Sequence, residues 1–485
     1  MLLLCGALLL GVGASGARAV PTLAPPKVLA GPDAGIVALT GMSIARDGTG
    51  GVVYLDQVAG VAHVFLSRLA GGTFQAPQQI DATLPGASSQ PVIAAGRAGV
   101  LHVGFINAGQ LYVVDHAAGT AAFGAPVALA AGGANPAISM SDFGKAYLAF
   151  TVLGAGGHDV RAAYFNAGAW TLEPIPLDAV AGDDAGSGAG RPAVVTAGDG
   201  VGIVAWGEAG HIFARRVWGA APSVAVQQAD VPSLSGWSEV SADAPSIGAG
   251  ADSSYVDVGF HEVLINGGQT QSRALMNRLI AGSSAGITAA DGLTTPGPEG
   301  ATDPQVVMND SGRGYLISVR TSSDQLFADV LGTQGANNGG LRVDSLPNTA
   351  PPDAVPATAG LSSALIGWQE DVSPLALAEI RVRYAPAGAL SLGPELVASA
   401  PIFGATDADA GLVAGGDVFG DGALAWVQGS GASTRIMAAQ MYQPPGSFAA
   451  GKRFAYTRSS RPVLSWSTSS EAWGPLIYQV TLDGV

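Results

Sequence analysis

The side chains with chemical potential in this 485-residue chain are mostly carboxylates gathered in long Gly- and Ser-rich connections. AVAGDDAGSGAGR carries Asp183 and Asp184, and QADVPSLSGWSEVSADA carries Asp230, Trp237, Glu239 and Asp243. Carboxylates beside an exposed indole suit a cation or a sugar, and long loops on a rigid scaffold are where such sites sit. These six residues are therefore the candidate ligand-binding set. The 281–303 stretch adds Asp291, Glu299 and Asp303. The competing reading of all of them is an acidic, solvated rim.

Other catalytic patterns are missing or incomplete. The six histidines do not cluster; His261-Glu262 begins an H-E-x-x-H pattern, but Ile265 stands where the second histidine belongs. His63, His158 and His211 each open a similar strand-like run, which repetition explains better than metal binding. There is no phosphate-binding loop, and no G-x-S-x-G has the strand and helix flanks it needs. No catalytic residue is assigned and no cofactor is expected.

Charge narrows the partners. A net charge of −15 without clustered Lys or Arg excludes nucleic acid. The opening MLLLCGALLLGVGASGARA has the apolar stretch and the A-x-A end of a signal peptide, so residues 1–19 are read as a leader. Cys5, the single cysteine, falls inside it, so the mature chain has no disulfide. No membrane span is expected after cleavage. The expected location is secreted or cell-surface.

Elements to position these residues come from a repeat. PVIAAGRAGVLHVGF recurs as NPAISMSDFGKAYLAF and RPAVVTAGDGVGIVAW, and from Pro91 to Phe105, Pro136 to Phe150 and Pro192 to Trp206 the interval is 14 residues each time. Looser copies begin near Pro245, Pro304, Ala354 and Ala410, and an earlier one ends at Leu55. Each copy continues with a second run alternating at period two, such as QLYVVDH or HIFARRVW, and then a shorter one. Four strands per unit without helical periodicity predict an all-β protein. The layout is a β-propeller of eight four-stranded blades, with seven as the alternative. The terminal aromatics are predicted to wedge between blades, since one small sheet cannot recover the entropy of ordering about 50 residues. The fifth copy is expected to be the weakest, because HEVLINGGQT and the 281–303 stretch interrupt it. The propeller is assigned to 41–450, with 20–40 as an extension that could close the ring.

Several motifs resemble known families. GGDVFGDGALAW resembles the calcium loop of FG-GAP repeats, with Asp417 and Asp421 in place. Phe419 and Ala425 stand where that family has oxygen ligands, so a plain tight turn is the preferred reading and Ca²⁺ the alternative. ARDGTG, SDFGK and NDSGR are read as bends held by their Asp or Asn side chains. The repeat architecture is similar to that of sialidase-like propellers, but their Asp-box is not intact here. After a basic linker at 451–461, residues 462–485 resemble the first strands of a fibronectin type III module, cut short. Secreted bacterial proteins that join propellers to such modules are similar in organisation. The resemblance implies a non-catalytic binding or scaffold protein presenting inter-blade loops to a glycan or protein ligand. The alternative is a divergent, sialidase-like glycoside hydrolase working through rim carboxylates.

Overall fold

In the computed structural model, residues 21–443 are described, apart from short gaps within 219–224, 251–254, 281–298, 310–311, 333–334, 347–351, 361–362, 372–376 and 387–390; beyond them only Trp473 is. The 1–19 leader, the basic linker and the rest of the 462–485 module lie outside the described residues. Among those described, the strands sort into eight sheets, each an antiparallel meander. In each, a short turn joins the innermost strand a to strand b and a connection of two to eight residues joins b to c; an outermost strand d follows in chain order in every blade but the eighth. Blade two is representative: Ser88–Gly96, Val100–Asn107, Gln110–His116 and Val127–Ala131. Neighbouring a strands touch all the way round, and Ile36–Ile44 of blade one meets Thr406–Gly416 of blade eight, so the circle is closed. No helix among the described residues is long and apolar enough to cross a membrane.

Closure uses both ends of the described chain. Thr22–Leu23 and Lys27–Ala30 pair with Arg435–Tyr442, so the N-terminal segment supplies the outer strand of blade eight. This joins first and last blades and covers an edge that would otherwise be open to a second chain.

A two-residue signature explains how the blades pack. Strand b carries a small residue followed by an aromatic in Gly104-Phe105, Ala149-Phe150, Ala205-Trp206, Gly259-Phe260, Gly367-Trp368 and Ala425-Trp426. Adjacent strand residues point to opposite faces. All six aromatics are fully buried against the preceding blade; Trp206, for example, packs with Tyr147, Val160 and Leu177 of blade three. The small residue faces the following blade, where there is no space: a Cβ on Gly367 would lie 1.9 Å from the Leu424 side chain.

The recurring proline marks a bulge. Strand a shifts register between Ser89 and Val92, Ala134 and Ala137, Asp243 and Ser246, and Thr302 and Gln305. The residue before proline there has φ near +50° in Gln90, Asn135, Ala244 and Asp303. A non-glycine residue seldom adopts that conformation, and a bulge bends the strand away from flat pairing. Beyond the bulge, serine hydroxyls stitch adjacent a strands: the Ala95, Thr196 and Val306 amides donate to Ser43, Ser139 and Ser246.

Blade five departs from the sequence expectation. Trp237–Ala249, Tyr255–Asn266 and Gln269–Ile280 are its longest strands, 12 or 13 residues each, and Gly267-Gly268 makes a tight turn between two of them. HEVLINGGQT is thus a regular hairpin, and Ser283–Thr288 is that blade's outer strand rather than part of an inter-blade loop. Trp473, the one described residue beyond 443, is buried against blades one and eight; its indole N–H donates to the Gly48 carbonyl at 2.8 Å.

One buried charge gives a pH prediction. Asp329 on strand c of blade six is fully buried, and neither carboxylate oxygen has a hydrogen-bond partner. Burial pushes its pKa up to about 7, with Arg320 pulling down and Asp291 up. A folded pKa above the unfolded value means the native state holds an extra proton between about pH 4 and 7. Stability is therefore full below that window and falls as pH rises through it. At roughly 1.4 kcal/mol per unit the loss amounts to a few kcal/mol. Asp329→Asn is expected to flatten the decline in Tm from pH 4.5 to 8; an unchanged slope would show that the carboxyl is ionised throughout.

Candidate functional site

A local rule built into several blades accounts for several of the inter-blade acids. Where strand d runs into the next blade, an apolar residue donates its amide back to strand c, and the following aspartate accepts an amide of strand c. Ile80 and Asp81 do this with Val64, Leu177 and Asp178 with Val160, and Ala229 and Asp230 with Ile212. Ser399 replaces the acid in blade seven, where its hydroxyl accepts the Ile380 amide. These are structural staples. A second rule places a polar residue two positions after the aromatic of strand b. The Trp206 indole donates to Glu208 at 2.8 Å, while Glu208 accepts the Ala179 and Val180 amides of the preceding connection. Gln428 does likewise with Trp426 and with the Ala400 and Gly404 carbonyls.

Against these rules the junction of blades four and five is distinct. His211 opens strand c of blade four, and its Nδ1 lies 2.7 Å from Asp230 Oδ2 and 3.2 Å from Glu239 Oε1. The three potential ligand atoms lie within 4.8 Å of one another. Glu239 comes from strand a of blade five. Glu262, fully buried, comes from the adjacent strand b, in the position that Glu208 holds in blade four. Burial, then the hydrogen bond and charge of Asp230, push the Glu239 carboxyl up to about 9. Burial and the charge of Asp230 push Glu262 up to about 8, with the Val231 amide and Arg273 acting the other way.

The other candidate residues scatter. Asp243 pairs with its cross-strand neighbour His261 at 2.7 Å, further along strand a. Asp184, between blades three and four, accepts from Ser187 and from the His158 amide, and these hydrogen bonds hold its carboxyl below the usual range. Asp183 is half-buried in the same connection. Trp237 is 4% exposed, so the expectation of a rim indole is corrected: it starts the long strand a of blade five and is packed there. Asp417 Oδ1 accepts the amides of Phe419, Gly420 and Asp421 at 2.9 to 3.0 Å, and Asp421 Oδ1 accepts the Gln443 amide at 2.7 Å. Asp142 of the SDFGK turn does not hold its bend; it pairs with Arg46 and Arg97 instead.

That ion pair borders a cavity of about 280 Å³ at the mouth of the central channel, on the face of the a–b turns. Every blade lines it, through Ser43, Ala95, Met140, Thr196, Ala249, Met308, Thr358 and Asp417 among others. Arg46 and Asp142 face each other there at 2.9 Å, and beside them Phe143 lines the opening with 78% of its surface exposed. Sequence reading missed this site because its residues are brought together from eight turns, and Phe143 looks like an ordinary turn residue in SDFGK.

No family model matches the sequence, and no curated protein matches it. Among solved structures, the Dos1 propeller is similar at 11% identity, over 87% of this chain and 95% of that one, with a TM-score of 0.46. An ulvan lyase, a polysaccharide lyase, is similar at 10% identity over 88% and 94%, with a TM-score of 0.43. The α-L-arabinanase of Penicillium chrysogenum is similar at 9% identity over 75% and 98%, with a TM-score of 0.41.

Proposed function

We propose that this is a secreted, non-catalytic binding propeller that takes a carbohydrate at the a–b mouth of its central channel. The observation that carries this reading is the eight-blade cavity with an exposed aromatic beside a guanidinium–carboxylate pair. A sugar offers an apolar C–H face to a ring such as Phe143 and hydroxyls to groups such as Arg46 and Asp142; small-molecule sites commonly combine apolar walls with a few placed polar groups. A large exposed phenyl on a turn between strands adds nothing to the core, which favours a contact role for Phe143. Hydrolysis through paired carboxylates is disfavoured at the blade four–five junction. There Asp230 and Glu239 both engage His211, and Asp230 also accepts the Ile212 amide, so neither is set to flank a sugar. The leader at 1–19 and the fibronectin-like segment at 462–485 fit display outside the cell.

Glycan-array binding of the mature chain, with and without calcium, tests the proposal. Wild-type protein is expected to bind a defined saccharide set, and Phe143→Ala to weaken it at least about tenfold, the equivalent of roughly 1.4 kcal/mol, with an unchanged Tm. Absence of glycan binding, or binding indifferent to Phe143, would reject the site.

A further inference from the structure

The molecule contains its own control for the blade four–five junction. Blades one and two build the same device from His63-Val64 and Gln79-Ile80-Asp81, matching His211-Ile212 and Gln228-Ala229-Asp230 residue by residue. In both, the histidine Nδ1 faces the aspartate, the next residue donates its amide to that aspartate, and the glutamine side chain donates to it as well.

The two junctions differ in what the following blade contributes. At blades one and two, Ser88 donates its hydroxyl to Asp81 at 2.5 Å, and Asn107 donates to Ser88 at 3.0 Å. That network is closed, with one negative charge and donors to meet it. At blades four and five the strand a contribution is Glu239 and the strand b contribution is Glu262, so both donors are replaced by carboxylates. Two acids, Asp230 and Glu239, then face one imidazole, and a third, Glu262, is buried on the adjacent strand. Glu262 is fully buried and neither of its oxygens makes a well-formed hydrogen bond; the Val231 amide and the Arg273 charge are what act on it from the donor side. Arg273, the cross-strand neighbour of Glu262, is engaged by Asp291 through two hydrogen bonds of 2.8 and 2.6 Å.

A buried carboxylate without a donor is costly unless a cation meets it. We propose that His211, Asp230 and Glu239 form a binding site for a divalent transition-metal ion of the zinc class that ties blade four to blade five, with the buried Glu262 of the adjacent strand completing it. One imidazole nitrogen with carboxylate oxygens is a donor set that Zn²⁺ accepts in four-coordinate structural sites, whereas Ca²⁺ takes six to eight oxygens. Tetrahedral bonds of about 2.1 Å put ligand atoms roughly 3.4 Å apart, near the 2.7 and 3.2 Å separations that His211 Nδ1 already has from Asp230 and Glu239. Asp230 Oδ1 stays on the Ile212 amide, which orients Oδ2 inward as an outer hydrogen bond does in metal sites.

The test uses the mature full chain, stripped with chelator and titrated separately with ZnCl₂, MnCl₂ and CaCl₂, with metal content read by mass spectrometry after dialysis and Tm read in parallel. The expected result is one zinc per chain and a rise in Tm that chelator reverses. The double variant Glu239→Ser/Glu262→Asn copies the blade one–two chemistry and should fold without metal. It is expected to lose affinity by at least about 100-fold, since even an outer-shell partner is worth 10- to 100-fold. His63→Ala should leave zinc content unchanged. Failure of the wild type to retain zinc, retention by the double variant at wild-type affinity, or calcium binding in place of zinc would each overturn the proposal.

Discussion

A chain that begins at Ile36 is expected to lose its cooperative unfolding transition near the wild-type Tm and to self-associate on a sizing column. The segment it lacks, Thr22–Leu23 and Lys27–Ala30, is the outer strand of blade eight. Leu23 packs into the core between blades seven and eight, and Leu29 into the core between blades eight and one. Both side chains are partly buried, and covering them contributes roughly 1 kcal/mol or more each. The ladder bonds to Arg435–Tyr442, with the Ala24 and Asp33 amides bonded to Gln440 and Thr434, contribute about 1 kcal/mol apiece. The sum is comparable to the whole stability of many domains. Removing the strand also uncovers Arg435–Tyr442 as an apolar edge, which invites pairing with another copy. A peptide spanning residues 21–34, added in trans, should restore part of the Tm. A truncated chain that stays monomeric with unchanged Tm would mean that the ring does not depend on this closure.

Trp206→Ala is the second substitution with a large expected effect. The indole is fully buried and fills the space between blades three and four, and cavities of that size cost about 3–5 kcal/mol. Its N–H also meets Glu208, whose carboxylate pins the Ala179 and Val180 amides of the inter-blade connection. Trp206→Phe keeps most of the packing and removes that donor, so it should cost about 1–2 kcal/mol by denaturant unfolding. Equal losses for the two variants would show that the hydrogen bond, not the packing, is the larger contribution.

The features that made the architecture readable are the same ones that stabilise it. The 14-residue interval runs from the proline after the bulge, as at Gln90-Pro91, to the aromatic between blades, as at Phe105, so it measures one pass along strand a and back along strand b. Where the chain departs from regular turns, sequence reading failed. Blade five looked broken because HEVLINGGQT lacks the usual apolar alternation, yet long ladders with Gly267-Gly268 at the turn restore it. Trp237 was read as exposed because Ser, Gly and Glu surround it; its burial comes from the length of strand a, which local composition does not encode.

The acids show the same division. Asp230 and Glu239 were singled out together, and they do meet, on His211. Glu262 was seen only as a failed metal motif. Its signal was its position two residues after Phe260, matching Glu208 after Trp206 and Glu370 after Trp368, the latter pair hydrogen-bonded in the structure. Composition groups Asp183 and Asp184 with these, but they lie at a different junction, where Asp184 answers to His158 and Ser187. Phe143 and Arg46 are not connected by sequence because nothing local links blade three to blade one; only the closed circle brings them to one opening.

The central functional claim is that the channel mouth holds a saccharide and leaves it unaltered. Prolonged incubation of stoichiometric protein with the best-bound oligosaccharide, followed by mass spectrometry of the recovered sugar, measures this directly. The account predicts the intact chain length and mass; release of shorter or unsaturated fragments that depends on the folded protein would contradict it.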